Sequence, residues 1–268
     1  MPFLNFLNEG LFYTHLNSLP SSKFWYVFFI IISAVCGYLL GSINTSILIS
    51  KLFYHEDIRK FGSGNAGMTN MLRTYGIGAA AGTFIGDLLK TVIAVSIPGI
   101  IFGFQFFGKT ESGQILYVGA SLSTFCYLAG LCAVIGHIFP IYHKFKGGKG
   151  VMTLMTTAIL LSHGPMVPLF CLFLIMLFAF RYMSLASVTL SILYPVAISA
   201  WFSIFFGGVD PIIAASAIAI AILVVWSHRG NLQRIANRTE RKVTFGKRKR
   251  ADAVKEAEEL NEGTENDE

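Results

Sequence analysis

The chain has 268 residues, of which 54% are hydrophobic and 13% charged, with a formal net charge of +6 at pH 7 and a mean hydropathy of +0.61. A soluble domain carries roughly 25% charged residues, so the composition excludes an ordinary water-soluble enzyme. β-barrel alternation is absent, which leaves helices to satisfy the backbone in lipid, and the chain reads as an all-α polytopic membrane protein.

In chain order, residues 1–23 mix Phe and Leu with Asn and Glu, which suits an interfacial segment. The apolar run that begins near Phe24 is too long for a signal-peptide core and no small-residue cleavage site follows, so it is expected to be retained. Membrane helices are expected over 24–50, 77–104, 115–141, 150–163, 165–181, 184–206 and 211–227. The fourth and fifth are separated at Ser162–Pro165, SHGP, a strong helix breaker. Residues 24–243 form one seven-helix domain, and 244–268 a basic then acidic tail expected to be disordered.

Charge sets the parity. With seven helices, Lys51, Arg59, Lys60 and Arg73, then Lys144, Lys146 and Lys149, then Arg181, then the basic tail all share one face. The opposite loops hold only Lys109, Glu111 and Asp210. Six helices would divide Arg181 from the basic tail. The positive-inside pattern therefore puts the N-terminus outside and the C-terminus in the cytoplasm.

Four polar segments fall on that cytoplasmic face. In FGSGNAGMTNMLR, Phe61–Arg73, the glycines Gly62, Gly64 and Gly67 fit G-x-G-x-x-G, but no βαβ unit surrounds them and a Rossmann site is disfavoured. The physics remains: glycines turn backbone N–H groups toward one point, and a helix N-terminus follows. Ser63, Gly64, Asn65, Thr69, Asn70 and Arg73 could hold a phosphate there, although a plain glycine turn with Thr69 or Asn70 as helix cap also accounts for the stretch. In GHIFPIYHKFKGGKGVMT, Gly136–Thr153, Gly150 follows Lys149 where a Walker A loop needs Ser or Thr, so ATP hydrolysis by that route is disfavoured. What is left is a second glycine loop, Gly147, Gly148 and Gly150, carrying Lys146 and Lys149, with His137 before it. In RYMSLAS, Ser184 and Ser187 share a helix face. In SHRGNLQRIANRTERKV, His228, Arg229, Asn231, Arg234 and Glu240 follow the last helix. The charge there suits lipid headgroups, and interleaved stacking aromatics for nucleic acid are absent.

Inside the second helix, Asp87 and Lys90 lie three apart and can pair. Cys36, Cys126, Cys132 and Cys171 sit in apolar runs without metal spacing, and no acidic cluster suits a metal.

GSGNAGMTNMLRTYG, GHIFPIYHKFKGGKGVMT, RYMSLAS and HRGNLQRI, in this order, resemble the bacterial acyl-phosphate:glycerol-3-phosphate acyltransferase family, with GDLLK at Gly86–Lys90 as a further similar segment. The resemblance covers about residues 30–243. It implies a cofactor-free membrane enzyme, in the bacterial cell membrane (the inner membrane of a Gram-negative cell), that makes 1-acyl-glycerol-3-phosphate for phospholipid synthesis. Its partners would be acyl phosphate, glycerol 3-phosphate and membrane lipids, not nucleic acid. Family members usually have Pro where Ala66 stands, Ala where Met68 stands and Gly where Arg238 stands.

An acyl phosphate is already activated, so the chemistry needs alignment, charge stabilisation and a sink for one proton. Ser63, Gly64, Asn65, Thr69, Asn70 and Arg73 are expected to cradle phosphate. Lys149, with Lys146 and the Gly147–Gly148 backbone, would neutralise a second phosphate or the developing oxyanion. Ser184, His228 and Asn231 would orient the acceptor. The resemblance favours a substrate phosphate oxygen as the proton acceptor, so that no side-chain base is required, with His228 the protein candidate for one. A phosphate-ester transporter or a lipid-binding scaffold would also gather cations at one face, but transport needs polar groups along a path across.

Overall fold

The computed structural model describes residues 22–102, 108–109, 115–116 and 120–243. Of the interfacial segment expected over 1–23, residues 1–21 lie outside the described residues and Ser22–Lys23 begin the first helix; the tail 244–268 also lies outside. Ten helices are present among them: α1 (Ser22–Gly41), α2 (Thr45–Tyr54), α3 (Met68–Tyr75), α4 (Ile77–Phe102), α5 (Ala120–Ile138), α6 (Val151–Leu161), α7 (His163–Phe180), α8 (Met183–Phe206), α9 (Pro211–Ser227) and α10 (Arg229–Ala236). Short 3-10 turns lie at Ile58–Lys60 and Ile141–His143.

Five stretches are long and apolar enough to cross a membrane: Ile30–Tyr54, Ile77–Ile100, Thr124–His143, His163–Phe180 and Met183–Phe206. The pair α9 and α10, bent by 53°, makes a sixth if it counts as one span. Each expected helix has a counterpart, with differences at the ends. The first is broken at 42–44, where Asn44 caps α2 by accepting from the Ile47 N–H. The third was expected from residue 115, but Ile115–Leu116 (β2) pair antiparallel with Gly108–Lys109 (β1), and α5 begins at Ala120. Apolar residues in a short run do not distinguish strand from helix. The break at SHGP is where the sequence puts it: Ser162 leaves helical geometry between α6 and α7, while Gly164 lets the start of α7 approach Trp201 closely. At 11 residues α6 is only about 16 Å long, short of a roughly 30 Å hydrocarbon core.

Helix α5 is central. Of its apolar span 67% is buried, against 28–39% in the other four. It packs against α1 through small residues: a Cβ on Gly37 or Gly41 would stand 2.5 or 2.3 Å from the carbonyl oxygens of Ala129 and Ala133. In lipid no hydrophobic force draws helices together, so such backbone-to-backbone contact is how they hold. On its other side α5 joins α6–α9 in one core that includes Tyr127, Leu154, Phe173, Leu190, Tyr194 and Ile220. The axis that carries the second glycine loop is thus the most firmly held in the bundle.

Candidate functional site: a cationic cleft between three loops

The first loop is built around Asn70. Its Oδ1 accepts from the Ser63 N–H at 3.0 Å, and its Nδ2 donates to the carbonyls of Phe61 (2.9 Å) and Ile58 (3.2 Å). Gly62 and Gly64 flank Ser63 with φ of +59° and +66°, and a Cβ on Gly62 would strike Asn70 Oδ1. Only glycine adopts that left-handed geometry without strain. Asn70 therefore shapes the loop with both ends of its amide. Thr69 and Asn70 do not cap α3, whose N-cap is Gly67 without a side-chain bond.

The second loop folds back on the end of α5. The N–H groups of Gly147 and Gly148 donate to the carbonyls of Ile138 (3.1 Å) and His137 (3.0 Å). A Cβ on Gly148 would lie 2.2 Å from His137 Nε2 and 2.6 Å from the Ala66 carbonyl, so that residue packs between both loops. Gly148→Ala is expected to push the loops apart and lower turnover at least tenfold in an acyl-transfer assay, with a thermal melt separating this from unfolding. Arg59 supplies a second bridge. Asp57 holds its guanidinium at 2.7 Å, while Nη1 donates to the His143 and Lys146 carbonyls, both at 3.0 Å. The hydrogen bond from Arg59 holds the Asp57 carboxyl below its usual range. Lys146 is exposed, and what it gives this bridge is its backbone.

The third wall comes from α10 and the residues after it. Glu240 Oε1 accepts from Ser184 Oγ (2.6 Å) and Asn231 Nδ2 (2.7 Å), and Oε2 accepts from Arg234 Nε (2.9 Å). The amide of Asn231 is thereby oriented so that its Oδ1 accepts from Lys149 Nζ. Ser227 Oγ donates to the Lys149 carbonyl at 3.1 Å. Burial pushes the Glu240 carboxyl up, but hydrogen bonds from Ser184, Asn231 and Arg234 outweigh it and hold it below the usual range. Helix α10 ends in a Schellman turn, with Thr239 N–H to the Arg234 carbonyl, Arg238 N–H to the Ile235 carbonyl and Arg238 at φ +62°. A non-glycine residue is strained there. Arg238→Gly is expected to raise stability by about 0.5–1 kcal/mol, read as a higher melting temperature.

These walls enclose a cleft of about 490 Å³ lined by Ser63, Gly64, Asn65, Lys149, Ser227, Arg229, Gly230, Asn231, Gln233 and Arg234. Burial lowers the Lys149 pKa to about 8, opposed by Glu240 and assisted by the charges of Arg234 and Arg73. Arg73 is half-buried within electrostatic reach of that ammonium. His228 is buried; its Nδ1–H donates to the Val224 carbonyl at 2.7 Å, leaving Nε2 as the accepting nitrogen. Burial, then the charge of Lys149, lowers its pKa to about 4, so the ring is neutral at pH 7.

Of the residues singled out from sequence, Ser63, Gly64, Asn65, Lys149 and Asn231 line the cleft. Asn70 and Gly147–Gly148 build its loops, Ser184 bonds Glu240 outside the lining, and His228, Arg73, Thr69 and Lys146 are likewise not among its lining residues. In sequence, Arg229, Arg234 and Glu240 stand out without a role and Arg59 only as charge; the D-x-R spacing of Asp57 and Arg59 is the signal that marks the pair.

The glycerol-3-phosphate acyltransferase family model matches residues 31–238. A glycerol-3-phosphate acyltransferase of Clostridioides difficile (strain 630) is 38% identical over 219 residues, covering 81% of this chain and 97% of that protein. One from Streptococcus thermophilus (strain CNRZ 1066) is 35% identical over 224 residues, covering 81% and 94%. The crystal structure of PlsY (YgiH), an integral membrane glycerol 3-phosphate acyltransferase in its glycerol 3-phosphate form, superposes with a TM-score of 0.64 at 28% identity, covering 80% of this chain and 96% of that one. Its lysophosphatidic acid form gives 0.61, again at 28% identity, with 80% and 95% covered.

Proposed function

The chain belongs to the glycerol-3-phosphate acyltransferase family of integral membrane enzymes, and on that premise we propose that it transfers an acyl group from an acyl phosphate to the 1-hydroxyl of sn-glycerol 3-phosphate, giving lysophosphatidic acid and phosphate. The observation that carries this reading is the cleft itself: two glycine loops and α10, far apart in sequence, meet around Lys149 with Arg229 and Arg234. Both reactants are phosphate esters or anhydrides. Cations and amide donors, with no carboxylate lining the cleft among the described residues, suit two such anions.

The step balances without a protein nucleophile. The acceptor oxygen bonds the acyl carbon, the bond from that carbon to the phosphate oxygen breaks, and the hydroxyl proton goes to the departing phosphate. Lys149 neutralises charge on the phosphate or the oxyanion, aided by Arg73 and the first loop. Asn231 orients the acceptor hydroxyl from the cleft wall, supported from outside the lining by Ser184 through Glu240 and by His228, neutral and with Nε2 accepting. Ser184 faces a carboxylate that is a weakened base, which argues against its serving as a nucleophile.

In this reading the chain crosses the bacterial cell membrane seven times, with α6 as a short crossing, and opens the cleft to the cytoplasm. The cations of the three loops support that side. The test supplies purified protein with long-chain acyl phosphate and glycerol 3-phosphate and measures lysophosphatidate and phosphate, with acyl-CoA as the other donor. Turnover with acyl-CoA alone would overturn the donor assignment. A covalent acyl group trapped on Ser63 or Ser184 would overturn direct transfer.

A further inference from the structure

Beneath the cleft lies a buried ionic cluster that the mechanism does not use. Lys90 of α4 is 5% exposed, Asp87 2% and His137 4%. The Lys90 ammonium has three protons and three acceptors: Asp87 Oδ1 at 2.7 Å, the Ile43 carbonyl at 2.7 Å and His137 Nδ1 at 2.9 Å. Thr45 Oγ1 also donates to Asp87 Oδ1 at 3.1 Å. An ammonium offers no acceptor, so His137 Nδ1 must accept and its proton sits on Nε2. That Nε2 edge lies against Gly148, the residue before Lys149, while the His137 carbonyl holds the Gly148 N–H. On the other side Ile43 precedes Asn44, whose Nδ2 donates to the Ala66 carbonyl at 3.4 Å, next to Asn65 in the cleft wall.

One ammonium thus reaches the supports of both glycine loops. We propose that Lys90, paired with Asp87, is a positioning residue that sets the first loop against the second through Ile43–Asn44–Ala66 and through His137–Gly148, and so fixes Lys149 relative to Asn65. An ion pair needed only to make α4 apolar enough for lipid would satisfy itself. This one directs two of its three hydrogen bonds to other segments, at the places where the cleft walls are anchored. Buried ions inside a membrane are costly, and a tripod fixed in three directions is a reason to keep one. The inference rests on the cleft being the active site.

The test uses the full chain in detergent, assayed with whichever donor the wild type accepts. Failure of the donor assignment is then read in the wild type, and failure of this inference in the variants. Asp87→Leu/Lys90→Met removes both charges and strands neither, so folding can survive where a single change would not. We expect it to melt near the wild-type temperature with kcat at least tenfold lower, a loss that simple charge compensation would not produce. Full kcat in that folded variant would overturn the proposal. His137→Asn and His137→Leu keep the ion pair, and only Asn offers an oxygen to the third ammonium proton. At equal melting temperatures His137→Asn should be at least fivefold more active. Equal activity of these two would overturn the proposal whether or not the double variant folds.

Discussion

Lys149→Met is expected to lower kcat/KM by about 10²–10³-fold, the usual cost of one pre-organised donor to developing charge, while leaving the melting temperature close to wild type. The side chain is held by Asn231 at the meeting point of all three walls, and among the described residues no other lysine lines the cleft. Its stem is half-buried, and Met fills the same volume, so packing survives. The electrostatics add a pH signature. Burial lowers the free-enzyme pKa of Lys149 to about 8, so the ammonium is present below that pH and is lost above it. The wild-type kcat/KM profile should fall as pH rises through about 8, and bound phosphate should move that limb higher in kcat. A Lys149→Met enzyme within threefold of wild type would remove the phosphate clamp from the mechanism.

Glu240→Ala is expected to destabilise the protein by about 2–4 kcal/mol and to lower activity as well. Two charge-assisted bonds, from Ser184 and Asn231, account for most of this. The Arg234 contact is half exposed and adds little. The loss of activity follows because Asn231 then has no fixed orientation from which to hold Lys149. Glu240→Gln keeps an accepting oxygen and should cost about 1 kcal/mol. The pH dependence has a definite sign. The folded-state pKa lies below the ordinary 4.5, so this stabilisation is intact above pH 4.5 and is lost as pH falls through the lower folded value. Thermal melts of wild type and Glu240→Ala across pH 3–7 should converge at the acid end. Parallel curves would assign the destabilisation to something other than this carboxylate.

The GGKG stretch announces a loop and a cation; the loop supports the cleft and Lys149 lines it. So do Ser63, Gly64 and Asn65, because a run of glycines and small polar residues can only be a turn. Asn70 looked like one more donor for the ligand. Sequence cannot show that both ends of an amide are already bonded to its own loop, which depends on backbone folded seven to twelve residues away. Lys146 is equivalent to Lys149 by charge, yet in the folded loop it is the Lys146 carbonyl that accepts from Arg59. Arg238 is the reverse case. The resemblance leads one to expect glycine at this position, and the left-handed φ of Arg238 at the Schellman turn supplies a physical reason for that expectation.

By itself the sequence determined the solvent, the helical class, the break at Ser162 and the residues that punctuate the loops. Each of these follows from local chemistry: apolar length, backbone permissiveness and charge. Only the tertiary structure decided which of those loops meet, that Glu240 orients Asn231 toward Lys149, that Arg59 ties one glycine loop to the other, and that Lys90 stands under both. Those facts depend on the close approach of α1 to α5 and on contacts between segments distant in sequence, 82 residues for Lys149 and Asn231 and 47 for Lys90 and His137. Distance along the chain carries no information about contacts of that kind; packing creates them.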